Sequence, residues 1–87
     1  HLSKYFTIVT TKPERITRFI NEELNRSATV LTGEGAYTQE GRKVLLTVLG
    51  RGQAVRLRAF LHEVDPQAFV VITNTSEIIG KGFRQTL

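Results

Sequence analysis

Few side chains in this sequence have the chemistry for catalysis. The histidines are His1 and His62. His1 is terminal, and His62, followed by Glu63, has no second histidine at metal-ligand spacing. Ser3, Ser27 and Ser76 lie in no Gly-x-Ser-x-Gly elbow of the kind that lifts a nucleophilic hydroxyl out of a strand-to-helix turn. The absence of cysteine removes disulfides, thiolate nucleophiles and sulfur-ligated metal. Glu34 and Glu40 are spaced to flank a ligand, yet no supporting group makes them an acid–base pair. These residues predict a protein that is not an enzyme and uses no cofactor or metal.

The residues better suited to chemistry are ones that bind. Gly33-Glu34-Gly35-Ala36-Tyr37-Thr38-Gln39-Glu40-Gly41 carries three glycines in nine residues. Glycine lets backbone approach a ligand closely and takes dihedrals closed to other residues. Backbone amides in such a loop suit an anion. Tyr37 offers a ring for a planar group, and Arg42, Lys43 and Arg51 follow in sequence. The competing reading is a bulge and hairpin required by strand curvature. The segment is not a P-loop, because no Gly-Lys-Ser/Thr closes it. Nor does Gly33-Glu34-Gly35 open a dinucleotide fingerprint, since it leads into a hairpin rather than a helix. A second element, Gly80-Lys81-Gly82-Phe83, repeats glycines around a charge beside an aromatic ring. Its competing reading is a tail ordered only by packing of Phe83.

The elements that must position these residues follow from hydrophobic period. Residues 4 to 10 are rich in β-formers and predict a strand. Thr11 and Glu14 suit a capping box with Pro13 in the first turn. Ile16, Phe19, Ile20 and Leu24 then recur at helical spacing, to about Leu24 or Asn25. Residues 28 to 32 and 43 to 49 predict two strands joined through the glycine segment, with a hairpin turn over Thr38 to Gly41. Gly50-Arg51-Gly52 stops the third strand. Ala54, Leu57, Phe60, Leu61 and Val64 mark a second helix, ended by Asp65-Pro66 because a residue before proline avoids the α region. Residues 68 to 73 predict a fourth strand. The order β-α-β-β-α-β is that of an α+β, ferredoxin-like fold. Right-handed crossovers place both helices on one face of a four-stranded antiparallel sheet.

One feature does not suit an isolated domain. Val44, Leu46 and Val48 point one way in the third strand while Leu45 and Leu49 point the other. Phe69 and Val71 likewise oppose Val70 and Ile72. A sheet with water on one face should alternate apolar and polar. The second face is therefore expected to be covered by another copy or by the rest of a parent protein. The alternative is two central strands with greasy outer faces.

Composition sets the outer limits. The 87 residues make one domain, residues 1–87, and a core of modest size. No run is long enough to span a bilayer. The chain enters strand-like sequence at once, reading as a fragment of a longer protein. The net charge of +4 suits anionic partners or plain solubility. The arginines are scattered, and the third strand lacks the aromatics of an RNA-stacking sheet, which argues against nucleic acid.

Four segments carry a family resemblance: Arg26-Ser27-Ala28-Thr29-Val30-Leu31, Gly33-Glu34-Gly35-Ala36-Tyr37-Thr38, Asp65-Pro66-Gln67-Ala68-Phe69 and Gly80-Lys81-Gly82-Phe83. At these separations the chain resembles, over nearly its whole length, the C-terminal cytoplasmic domain of the YitT-like bacterial membrane proteins, a domain of unknown function. It departs at Ser27, where that family usually has glycine. The resemblance implies transmembrane helices preceding the domain in the parent and a place on the cytoplasmic face of the membrane. It also implies a fold similar to PII-like sensor domains, which commonly form trimers and bind small ligands between subunits. The resulting expectation is a regulatory, homo-oligomeric domain that senses a small anionic ligand such as a nucleotide. Gly33, Glu34, Gly35, Tyr37 and Thr38 would form one wall of the site, and Lys81, Gly82 and Phe83 the other. The rival is an assembly module with no ligand.

Overall fold

The computed structural model of the chain describes residues 3–32 and 42–75. The glycine segment, residues 33–41, and the second glycine element, residues 80–83, lie outside the described residues, as does the expected turn over residues 38–41. The elements are β1 (Ser3–Thr10), α1 (Pro13–Arg18, continued by a π-helical stretch over Phe19–Glu23), β2 (Thr29–Leu31), β3 (Lys43–Leu49), α2 (Arg51–Val64) and β4 (Phe69–Thr75). The four strands form one sheet in the order β2-β3-β1-β4, with every neighbouring pair antiparallel. This is the ferredoxin-like arrangement that the element order predicts.

Period-two alternation sorts the strand residues. Phe6 and Ile8 of β1 and Leu45 and Leu49 of β3 are fully buried, facing the helix layer. Ile16, Ile20 and Leu24 come down from the first helix, and Ala54, Leu57 and Leu61 from the second, to close one core. Leu57, with no exposed surface, sits on the α2 face turned to β1 and β3.

The first helix departs from expectation in two ways. Thr11 does not cap it: the N-cap is Lys12, with no side-chain capping bond. The Lys12 amide donates to Thr10 Oγ1 at 2.9 Å, which fixes the turn into the helix without capping its first-turn amides. The α-helical part also stops at Arg18, and the next turn widens, with the Leu24 amide donating to Phe19 O at 3.1 Å. Phe19, at the start of the wide turn, stacks on Phe60 of α2 with ring centroids 4.0 Å apart and planes 10° from parallel. Asn25 ends the helix at φ 57°, a left-handed cap that asparagine tolerates well.

Gly50 does more than stop β3. It is the N-cap of α2, and its amide donates to Gln53 Oε1 at 2.8 Å. Gln53 Nε2 donates to Leu24 O, also at 2.8 Å. One side chain thus satisfies orphan backbone groups at the end of the first helical segment and at the start of the second.

Candidate anion cleft and open sheet face

The register fixes which segments share an end of the sheet. β1 runs from Ser3 to Thr10, and Thr10 pairs with Lys43, the first residue of β3. Leu31, the last residue of β2, pairs with Val44. Both roots of the glycine segment therefore stand at the Thr10 end. β4 begins at the same end, with Phe69 opposite Val9, and finishes at the other, with Thr75 opposite Ser3. Seven residue steps separate the ends of β1, about 23 Å at the usual strand rise. Thr75, the last described residue before the second glycine element, thus stands at the opposite end of the sheet from Leu31 and Lys43.

At the Thr10 end lies a cleft of about 350 Å³, lined by Thr11, Lys12, Arg42, Asp65, Pro66 and Gln67. Three connections meet in it: the β1–α1 turn, the residue leading into β3, and the α2–β4 turn. A buried network holds its floor. Thr10, fully buried, donates from Oγ1 to Asp65 Oδ2. Lys12 Nζ donates to Val64 O at 2.8 Å, satisfying a carbonyl at the C-terminus of α2, where a cation also suits the helix dipole. The Asp65 amide closes the last turn of α2 on Leu61 O at 2.9 Å, and Ala68 N returns to Asp65 O at 3.0 Å. The turn that lines the cleft is thereby pinned to β1.

The charges in the cleft do not cancel one another in contact. Among the described residues, neither Lys12 nor Arg42 approaches the Asp65 carboxylate within 4.0 Å. Arg42 makes no hydrogen bond or ion pair among them. Two cations on an open cleft at the base of a glycine-rich segment suit the oxygens of an anion. No group of three or more His, Asp or Glu side chains is gathered to hold a metal among the described residues.

The face of the sheet turned away from the helices is apolar in rows. Leu31, Val44, Val9 and Phe69 stand side by side across all four strands at the Thr10 end. Thr29, Leu46, Thr7 and Val71 form the next row, and Val48, Tyr5 and Thr73 a third. Phe69 is 64% exposed, Val71 45% and Leu31 43%. The row nearest the cleft is therefore the most apolar. β4 is also a seven-residue edge strand with no charged residue and no proline, the devices that ordinarily protect an edge. Beside it a groove of about 600 Å³ separates β4 from α2, floored by Leu61, Ala68, Val70 and Ile72.

Of the residues singled out from sequence, Arg42 lines the cleft. Arg51 does not, since it opens α2 at the Ser3 end. Gly33, Glu34, Gly35, Tyr37, Thr38, Lys81, Gly82 and Phe83 lie outside the described residues. Sequence reasoning missed Thr11, Lys12, Asp65 and Gln67 as a group. Each closes or follows an element at the same end of the sheet, a signal that topology carries and linear spacing does not.

Comparison with known proteins supports the same fold and names a family. The family model for an uncharacterized protein conserved in bacteria, DUF2179, matches residues 26–80. The chain is 35% identical over 83 residues to the UPF0750 membrane protein YpjC of Bacillus subtilis, covering 95% of this chain and 29% of that protein. It is 32% identical over 80 residues to the UPF0750 membrane protein YitT of the same organism, covering 92% of this chain and 29% of that protein. The chain spans 55% of a further curated relative, from Bacillus sp. strain PS3, so it matches only part of each. The crystal structure of a DUF2179 protein from Eubacterium ventriosum superposes with a TM-score of 0.67 at 31% identity, covering 82% of this chain and 97% of that one. A putative PII-like signaling protein from Thermus thermophilus superposes with a TM-score of 0.60 at 23% identity, over 85% of this chain and 86% of that one. At that identity the second likeness speaks for the fold alone, which is PII-like. The resemblance to YitT-like proteins read from the four segments holds: the chain belongs to the DUF2179 family of uncharacterized bacterial proteins.

Proposed function

We propose that residues 1–87 form a single regulatory domain of a longer membrane protein, on the cytoplasmic face, and that it senses a small anionic ligand at a boundary between subunits. The membrane assignment rests on the names of the relatives, YpjC and YitT among them. The observation that carries the ligand reading is the cleft at the root of the glycine segment, where Lys12 and Arg42 are placed to take anionic oxygens. Gly33, Glu34, Gly35, Tyr37 and Thr38 form one wall above it, with backbone amides on the anion and the Tyr37 ring on a planar group such as a base. Lys81, Gly82 and Phe83 form the other wall.

That second wall is best supplied by a neighbour. Thr75 ends β4 far from the cleft, so a chain using its own Lys81 must run the length of its sheet. The open face gives a reason for a neighbour to be there. Its most apolar row adjoins the cleft, and burying that row against another copy yields a homo-oligomer, a trimer in this reading, with the site at its seam. Ligand shared across the seam then favours the assembled state over the free chain, which is how occupancy becomes a signal.

Thermal unfolding of the 87-residue chain against a nucleotide panel tests this. A ligand at 100 times its dissociation constant stabilises by about 2.7 kcal/mol. For a domain of this size that raises Tm by on the order of 10–20 °C. If no nucleotide or other phosphate ester shifts Tm, the sensing reading falls. The apolar face then supports the second reading, an assembly module without a ligand.

A further inference from the structure

We propose that Asp65 sets the selectivity of the cleft, admitting organic anions that carry a hydroxyl or amino donor beside the anionic group and discriminating against bare inorganic anions. The proposal rests on the reading of the cleft as an anion site. Asp65 is 7% exposed as a residue. Oδ2 accepts the Thr10 hydroxyl, while Oδ1 has no hydrogen-bond partner among the described residues. Oδ1 is not sealed in, because no buried side-chain oxygen or nitrogen is left without a partner. It is therefore an open acceptor on a fixed carboxylate that lines the same cleft as Lys12 and Arg42.

A carboxylate with one oxygen hydrogen-bonded and the other open keeps acceptor capacity for a ligand donor. One Thr10 hydroxyl is its only side-chain donor among the described residues, and Thr10 Oγ1 itself accepts the Lys12 amide. The cleft thus presents two cations and one anion, each with capacity to spare. Phosphate or pyrophosphate brings acceptor oxygens and meets Asp65 as a like charge. A nucleotide or sugar phosphate can place its phosphate on Lys12 and Arg42 and turn a hydroxyl or amino group to Oδ1. A site built around a buried polar acceptor rejects ligands that leave it unpaired far better than an apolar pocket rejects a missing methylene.

The test is isothermal titration of the 87-residue chain with adenosine 5′-monophosphate, ribose 5-phosphate and inorganic phosphate. A hydrogen bond to a charged group predicts that at least one of the organic phosphates binds about 10- to 100-fold more tightly than inorganic phosphate. Asp65→Asn keeps an acceptor for Thr10 but removes the charge, and should narrow that gap chiefly by improving inorganic phosphate. Ribose 5-phosphate has no base to stack, so its ratio to inorganic phosphate in the unsubstituted chain tests the hydroxyl contact even if the variant folds poorly, and a ratio near one overturns it. Equal binding of all three probes overturns the selectivity and leaves the anion site standing, as does a ratio unchanged by Asp65→Asn. Binding by none of the three removes both.

Discussion

Replacing Phe69 with serine separates what the open face does for one chain from what it does between chains. Phe69 is 64% exposed, whereas Phe6, on the opposite face of the adjacent strand, is fully buried. Full burial of a phenylalanine side chain is worth about 1.5–3 kcal/mol. Roughly one third of that is already realised at Phe69 within the chain, so Phe69→Ser should cost the monomer about 0.5–1 kcal/mol. The exposed share, about 1–2 kcal/mol, is gained only when another surface covers it. Removing it should weaken self-association by about 5- to 30-fold per contact. Phe6→Ala, by contrast, should cost about 3–5 kcal/mol through loss of transfer energy and the cavity left behind. Sedimentation velocity over a dilution series reads the association, and urea unfolding of dilute protein reads the monomer. Two results refute the reasoning: Phe69→Ser leaving the association constant unchanged, or Phe69→Ser destabilising the dilute chain as much as Phe6→Ala does.

Two further outcomes follow from particular contacts. Gln53→Ala strips partners from Gly50 N and Leu24 O together, and should lower stability by about 1–3 kcal/mol, read as a fall in the urea midpoint at unchanged slope. Arg42→Ala should leave the urea midpoint within about 0.5 kcal/mol of the parent, since Arg42 holds nothing together among the described residues. The same variant should weaken nucleotide binding, and the difference between the two chains should shrink as salt rises.

Much of the fold is legible in the sequence because local chemistry and tertiary demand agree. The alternation Val44, Leu46, Val48 against Leu45, Leu49 reads the two faces of β3 as the register has them. Asp65-Pro66 ends α2 where the steric conflict before proline says it must. The wide turn at Phe19–Glu23 is not legible. Helical spacing of Phe19, Ile20 and Leu24 is nearly the same for one α and one π turn, and the stacking of Phe19 on Phe60 is a tertiary contact. Thr11 looked like the cap because it precedes Pro13 at the usual offset. The buried Thr10 hydroxyl took the Lys12 amide instead, since Asp65 already fixed its position from across the fold. The cleft was half legible. Arg42 is visible as a cation beside the glycines, but Lys12 and Asp65 stand 53 positions apart and share a cleft only because the first crossover begins and the second finishes at the same end of the sheet. The outward apolar residues of β3 and β4 are legible in the sequence, and the register adds that they join Leu31 and Val9 in a row across all four strands.

The proposed sensor holds its anionic ligand at a seam between chains. Sedimentation velocity with the nucleotide found in the thermal screen tests it most directly, following the absorbance of the base. The chain has no tryptophan and two tyrosines, so the base dominates the ultraviolet signal. Nucleotide should travel with the oligomer boundary and be left behind by Phe69→Ser at dilutions where that variant is monomeric and the parent is not. Nucleotide travelling equally well with the monomeric variant would place the whole site within one chain and contradict it.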